Sequence, residues 1–173
     1  MRPDDFIAAV KDAALAASKV SGLPAGVTIA QAAVESAWGS KIPGNNFFGI
    51  TISGDLPNVA LPTHEELTPE QLANEIAKHR ILKALNDGLP IKGSKHRLYK
   101  VLRYFGAWSS MQKNFEARDR ILISEPRYDA CCKAWFDDKN IEAHIRGLAP
   151  WATAHTYTDT IWAIVRSHDL GGL

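Results

Sequence analysis

A chain of 173 residues with 46% hydrophobic content is long enough to bury a core without metal or disulfide staples, so one globular domain over residues 1–173, with room for a small lobe, is expected. Its 20 basic and 19 acidic residues leave a formal net charge of +1, which supplies no field for nucleic acid or for a membrane surface, so any substrate must be read by a local site. Nowhere do about 18 consecutive apolar residues occur, which excludes a helix crossing a bilayer and any membrane insertion by that route.

In chain order, Met1-Arg2-Pro3-Asp4-Asp5 lacks the apolar core and cleavage site of a signal peptide. Synthesis in the cytoplasm is expected, and a target outside the membrane would then need phage-type release. Phe6, Val10, Ala13, Ala14, Ala17 and Val20 follow at helical spacing, with Asp4 or Asp5 as caps, until Ser21-Gly22-Leu23-Pro24 stops the helix. A second helix runs from Ala25 or Thr28 to Trp38 and ends at Gly39. Residues 41–63 are rich in glycine, proline and asparagine, and read as irregular loop with short strands at Phe47 to Ile52 and Asn58 to Leu61. Thr68-Pro69-Glu70-Gln71 is a capping pattern, predicting a helix to about Leu85 that Asn86-Asp87-Gly88 closes. His96 to Phe105 reads as a strand. Helices are then predicted from Ser109 or Ser110 to Leu122, and at about 127–136, 139–148 and 158–168. The fold class is mainly α (α+β), with about seven helices and a small β lobe inserted after the second.

The most informative segment is Ile29-Ala30-Gln31-Ala32-Ala33-Val34-Glu35-Ser36-Ala37-Trp38-Gly39. At helical spacing Gln31, Glu35, Trp38 and Gly39 share a face, and Glu35 is a lone carboxylate in an otherwise uncharged helix. The unsatisfied carbonyls of a last helical turn disfavour its ionisation, and apolar cover from Trp38 acts the same way. Both favour a proton held near neutral pH, as a general acid requires. The same features also suit a solvated glutamate near a helix end.

Gln31 to Gly39, followed by Asn45-Asn46-Phe47-Phe48-Gly49-Ile50, strongly resembles the glucosaminidase family, which includes the flagellar peptidoglycan hydrolase and many bacterial and phage autolysins. Val59 to Glu65, Tyr104 to Met111 and Trp151 to Tyr157 are similar to later family motifs in the same order. The resemblance implies a single peptidoglycan-hydrolase domain of lysozyme-like fold. It would be an endo-β-N-acetylglucosaminidase cutting β-1,4 bonds of the peptidoglycan glycan strand, acting as a monomer without cofactor or metal. Glu35 would be the acid and Glu65 the second catalytic carboxylate, with Glu66 its competitor. If neither reaches the sugar, the substrate acetamide is the internal nucleophile. Trp38, Asn46, Phe48, Trp151, Thr153 and Tyr157 are the expected substrate-binding residues. Trp151 stands where the family has tyrosine and Ala154 where it has aspartate; an indole can stack on a sugar but cannot position a water as a phenol does. Residues 67–96 are longer than the family's hairpin.

Rival readings are a muramidase or lytic transglycosylase of the same fold, or a catalytically silent glycan-binding or phage-structural protein. The six histidines show no zinc-binding spacing. The adjacent Cys131 and Cys132 cannot close a loop between them and read as reduced residues inside a helix, a poor setting for a Cys–His nucleophile.

Overall fold

The structure, a computed structural model, describes residues 1–173. It contains seven α-helices and a small antiparallel sheet. Two compact units are resolved, one made of Met1–Phe48 with Ser109–Leu173, the other of Gly49–Trp108.

The first unit is helical. Helix α1 (Pro3–Ser21) buries Phe6, Val10, Ala14 and Ala17. Its N-cap is Arg2, whose side chain makes no capping bond. Asp4 and Asp5 instead sit inside the first turn, where negative charge complements the helix dipole. Gly22 ends the helix in the left-handed conformation (φ 77°) and donates its N–H to Ser18 O, a cap that glycine adopts without a Cβ penalty. Helix α2 (Ala25–Glu35) is buried from Ala25 to Ala33. It is apolar on every side because helices surround it: α1 and α7 (Tyr157–Ser167) pack on it, as does the 3-10 turn Leu170–Gly172. A Cβ on Gly26 would fall 1.9 Å from Leu170 O, so only glycine admits that turn.

Helix α4 (Met111–Ser124) starts at Ser110, whose hydroxyl accepts from Lys113 N–H, the expected cap chemistry. Helices α5 (Asp129–Phe136) and α6 (Ile141–Arg146) are shorter than the apolar pattern predicts, and 3-10 turns at Pro126–Tyr128 and Ala149–Trp151 take up the difference.

The second unit holds β1 (Asn58–Leu67), α3 (Pro69–Ala77), β2 (Ile81–Ala84), β3 (Leu89–Pro90) and β4 (Arg97–Gly106). Strand β4 is central, with β1 on one side and β2 and β3 pairing along the other, all antiparallel. The register of β1 on β4 runs from Asn58 opposite Gly106 to Leu67 opposite Arg97. Ile81, Tyr99 and Val101 form the core, with Leu67, Leu72 and Ala84 against it.

Three further predicted elements differ. The helix expected to reach Leu85 opens as read, with a full capping box at Thr68 and Gln71, but stops at Ala77. His79 then turns through the left-handed region (φ 52°). Ile81 to Ala84 pair with β4 because that register buries Ile81, a gain that overrides helical spacing. Strand β1 runs on to Leu67 beyond Leu61. Phe47 to Ile52 form no strand; Phe47 and Phe48 are core residues, and Thr51 alone makes a bridge, to Phe105.

Candidate active site

Helix α2 ends at Glu35, three residues before the predicted end. Ser36 caps it by donating its hydroxyl to Ala32 O at 2.6 Å and accepting Gly39 N–H at 2.9 Å. Ala37, Trp38 and Gly39 then follow with φ of 49°, 55° and 77°, a left-handed run unusual for residues with a Cβ. Bonds from Trp38 N–H to Ala33 O and from Lys41 N–H to Ser36 O hold it. The consequence is a correction: Trp38 does not continue the helical face of Glu35. Its ring packs edge-on against Phe6 at 5.7 Å and against His168 at 5.8 Å.

What reaches Glu35 is Tyr157. The phenol, on the first residue of α7, donates to Glu35 Oε1 at 2.6 Å. Burial pushes the Glu35 carboxyl above its ordinary range, and the phenol's hydrogen bond pulls it partly back. Burial first, then the neighbouring carboxylate, push the Tyr157 phenol up as well, so it stays a donor.

Behind this pair lies a buried polar chain. Gln31, one turn back on α2, donates Nε2 to the Tyr157 oxygen at 2.9 Å and accepts from Arg118 Nε at 2.8 Å. Arg118 Nη1 also bonds Thr28 Oγ1 at 3.0 Å and Asp119 Oδ1 at 2.8 Å, and Ser21 donates to Asp119 Oδ2 at 2.6 Å. Arg118 is wholly buried, a placement tolerable only with its charge paired. Its Nη2 has no hydrogen-bond partner, while the guanidinium carbon stands 6.0 Å from the Phe48 ring centre.

One turn earlier on α4, Asn114 Oδ1 accepts Phe47 N–H at 2.9 Å and so ties the Asn-Asn-Phe-Phe segment to that helix. Phe48, expected to offer a sugar-stacking face, is 2% exposed, edge-on to Phe115 at 5.3 Å and Trp151 at 6.2 Å. Its rings contacts are internal, so it is a packing residue. Trp151 is half-buried between Phe48 and Tyr128. Asn46 is buried and Thr153 exposed.

In the second unit Glu65 lies on β1 opposite Tyr99 and pairs with Arg103 at 3.3 Å; Arg103 also holds Glu75 at 3.2 Å. Glu66 is exposed on the same strand. No group of three or more His, Cys, Asp or Glu side chains could hold a metal ion.

The structure does bring Cys131 to His144, Sγ to Nδ1 at 3.2 Å. Burial pushes the thiol up to about 12 and the imidazole down to about 4, so both stay neutral and no thiolate is available for attack.

A family model described as mannosyl-glycoprotein endo-beta-N-acetylglucosaminidase matches residues 11–170. The chain belongs to this glucosaminidase family. It is 26% identical to "Peptidoglycan hydrolase FlgJ" of Vibrio parahaemolyticus over 92% of its length, and 29% identical to "Autolysin" of Enterococcus faecalis over 74%. It spans 45% of the former's length and 19% of the latter's. Among solved structures, the catalytic domain of the autolysin Auto from Listeria monocytogenes matches with a TM-score of 0.70 at 23% identity, covering 98% of this chain and 86% of that one. The glycoside hydrolase domain of FlgJ from Salmonella typhimurium matches at 0.61 and 21%, covering 98% and 89%. At these identities the likeness establishes the lysozyme-like glucosaminidase fold.

Of the polar chain in this glucosaminidase domain, the sequence singles out Glu35, as the expected acid, and Tyr157, as an expected sugar contact, and the structure joins the two by a hydrogen bond. Arg118 and Asp119 were missed. Their signal is present: Phe115 and Leu122 mark the buried stripe of α4, and 118 and 119 fall between them on that stripe.

Proposed function

We propose that the chain is an endo-β-N-acetylglucosaminidase that hydrolyses β-1,4 glycosidic bonds of bacterial peptidoglycan, with Glu35 as general acid. Family membership over residues 11–170 and the peptidoglycan hydrolase and autolysin among its relatives support the substrate. The observation that carries the acid is Glu35 itself, a half-buried carboxyl at a helix end whose ionisation burial disfavours while a single phenol orients it.

In this mechanism Glu35 gives its proton to the bridging oxygen as the sugar takes on oxocarbenium character, and water completes hydrolysis. The group that assists on the other face is Glu65 or the substrate's own acetamide. Glu65 is held by Arg103, a contact that fixes its position and keeps a cation beside it. The two routes differ in stereochemistry: a carboxylate activating water inverts the anomeric centre, whereas acetamide participation retains it.

The test is digestion of purified peptidoglycan, followed by borohydride reduction and mass spectrometry of the new ends. Reduced N-acetylglucosamine ends are expected. Reduced muramic or anhydromuramic ends would replace this reading with a muramidase or transglycosylase, and binding without release would make the chain a silent glycan-binding protein. Glu35→Gln should reduce turnover by about 100-fold or more, in the range for losing a general acid. Glu65→Gln should do the same on the carboxylate route and leave turnover near wild type on the acetamide route.

A further inference from the structure

We propose that Gln31, clamped by Arg118, is a positioning residue that directs the Tyr157 hydroxyl proton at Glu35 Oε1 and so confines the acid's transferable proton to Oε2. This rests on the reading of Glu35 as the acid. The direction of every bond in the chain follows from one fixed end. A guanidinium has donors and no acceptor, so the atom of Gln31 that faces Arg118 Nε at 2.8 Å must be its carbonyl oxygen. Its amide nitrogen therefore faces Tyr157 and donates, at 2.9 Å. The phenol oxygen, already accepting, turns its own proton away from Gln31, and the partner there is Glu35 Oε1 at 2.6 Å. An oxygen that accepts this bond cannot also carry a proton along it. When Glu35 is protonated, the proton is thereby placed on the other oxygen, free for a leaving group.

The fixed end is itself well anchored. Arg118 is paired with Asp119 and bonded to Thr28, and Asp119 is held by Ser21. Without Gln31 the phenol could accept from a protonated Glu35, and the catalytic proton would be trapped on Oε1. The other charged groups on elements against α2 are not in the chain: Asp4, Asp5, Lys11, Asp12 and Lys19 of α1 and Asp159 and Arg166 of α7 are exposed, while His168, just past α7, packs on Trp38.

The decisive experiment combines a titration of the full chain by NMR of ¹³C-carboxyl-labelled glutamate with the pH profile of peptidoglycan turnover. The Glu35 signal is identified by its loss in Glu35→Gln. In Gln31→Met, neutral and similar in size, the Glu35 midpoint should rise by about one pH unit, tenfold in acidity. The alkaline limb of turnover should move with it, and kcat should fall with KM unchanged. Gln31→Glu, which keeps the Arg118 contact but offers Tyr157 only acceptors, should shift the midpoint in the same direction and serves if Gln31→Met does not fold. An unchanged midpoint in the folded variants, with or without a drop in melting temperature, overturns the proposal by reducing Gln31 to a packing role. The titration needs no turnover, so a wild-type chain that releases no glycan ends refutes the functional reading separately.

Discussion

At the scale of single residues, Glu35 is costly to the fold because of the same burial that supports its proposed role as the acid. Burial raises its folded pKa above the ordinary 4.5, so the native state binds its proton more tightly than the unfolded chain does. The sign follows from linkage: stability from this group is fully present below about 4.5 and is lost as pH rises through the raised folded value. Glu35→Gln keeps an oxygen for Tyr157 and removes the ionisation. Its melting temperature should therefore match wild type under acid conditions and exceed it increasingly toward neutrality, as calorimetry across pH would record. A variant less stable than wild type at neutral pH would mean that the carboxylate is not strained by burial. The sequence exposed Glu35 through its spacing and motif. It hid the partner, because Tyr157 lies 122 positions away, and it put Trp38 on the helical face of Glu35, because nothing local announces that Ala37 and Trp38 adopt left-handed backbone.

Among the elements, helices were legible where the apolar spacing was regular, as in α1, α4 and α7, with the N-terminal cap also legible only in α4 of these three; the fold was illegible where pairing at a distance decided, as in β2. The contact between α5 and α6 was also beyond the sequence, since Cys131 and His144 meet only when Gly147 lets the two helices close; a Cβ there would fall 2.6 Å from Cys131 Cα. His144 donates Nδ1 to Cys131 O at 2.9 Å and is wholly buried. Burial, then the charge of Arg118, depress it to about 4. A histidine with a depressed folded pKa contributes its full stability above the unfolded value of about 6.5 and loses it as pH falls toward 4, on the order of 3 kcal/mol across the window. Urea denaturation at several pH values should show wild type weakening through that window and His144→Gln weakening much less. Equal slopes for the two proteins would remove His144 as the acid-sensitive joint of this helix pair.

For the whole molecule, composition leads to one domain with room for a small lobe, and the chain divides into two compact units of unequal means. The helical unit buries Phe6, Val10, Leu23, Ile29, Phe47, Phe48, Phe115, Leu122, Ile145, Leu148, Ile161 and Val165. The β unit has Ile81, Tyr99 and Val101, and leaves Leu56, Ile76, Leu82, Leu85 and Leu89 exposed. Each fully buried side chain of this kind contributes about 1.5–3 kcal/mol, so the β unit holds a much smaller reserve against the entropy of ordering residues 49–108. Local opening follows the thinner core. Native-state hydrogen exchange should accordingly find β1 and β4 amides opening at lower free energy than those of α1, α2 and α4. Val101→Ala should lower protection across the β unit by about 1–3 kcal/mol, the usual cost of removing buried methyl groups, while leaving the helical unit's protection unchanged. If both units instead exchange at one common free energy, and Val101→Ala lowers both together, the chain unfolds as a single cooperative domain, and the small core of the β unit draws its stability from the whole.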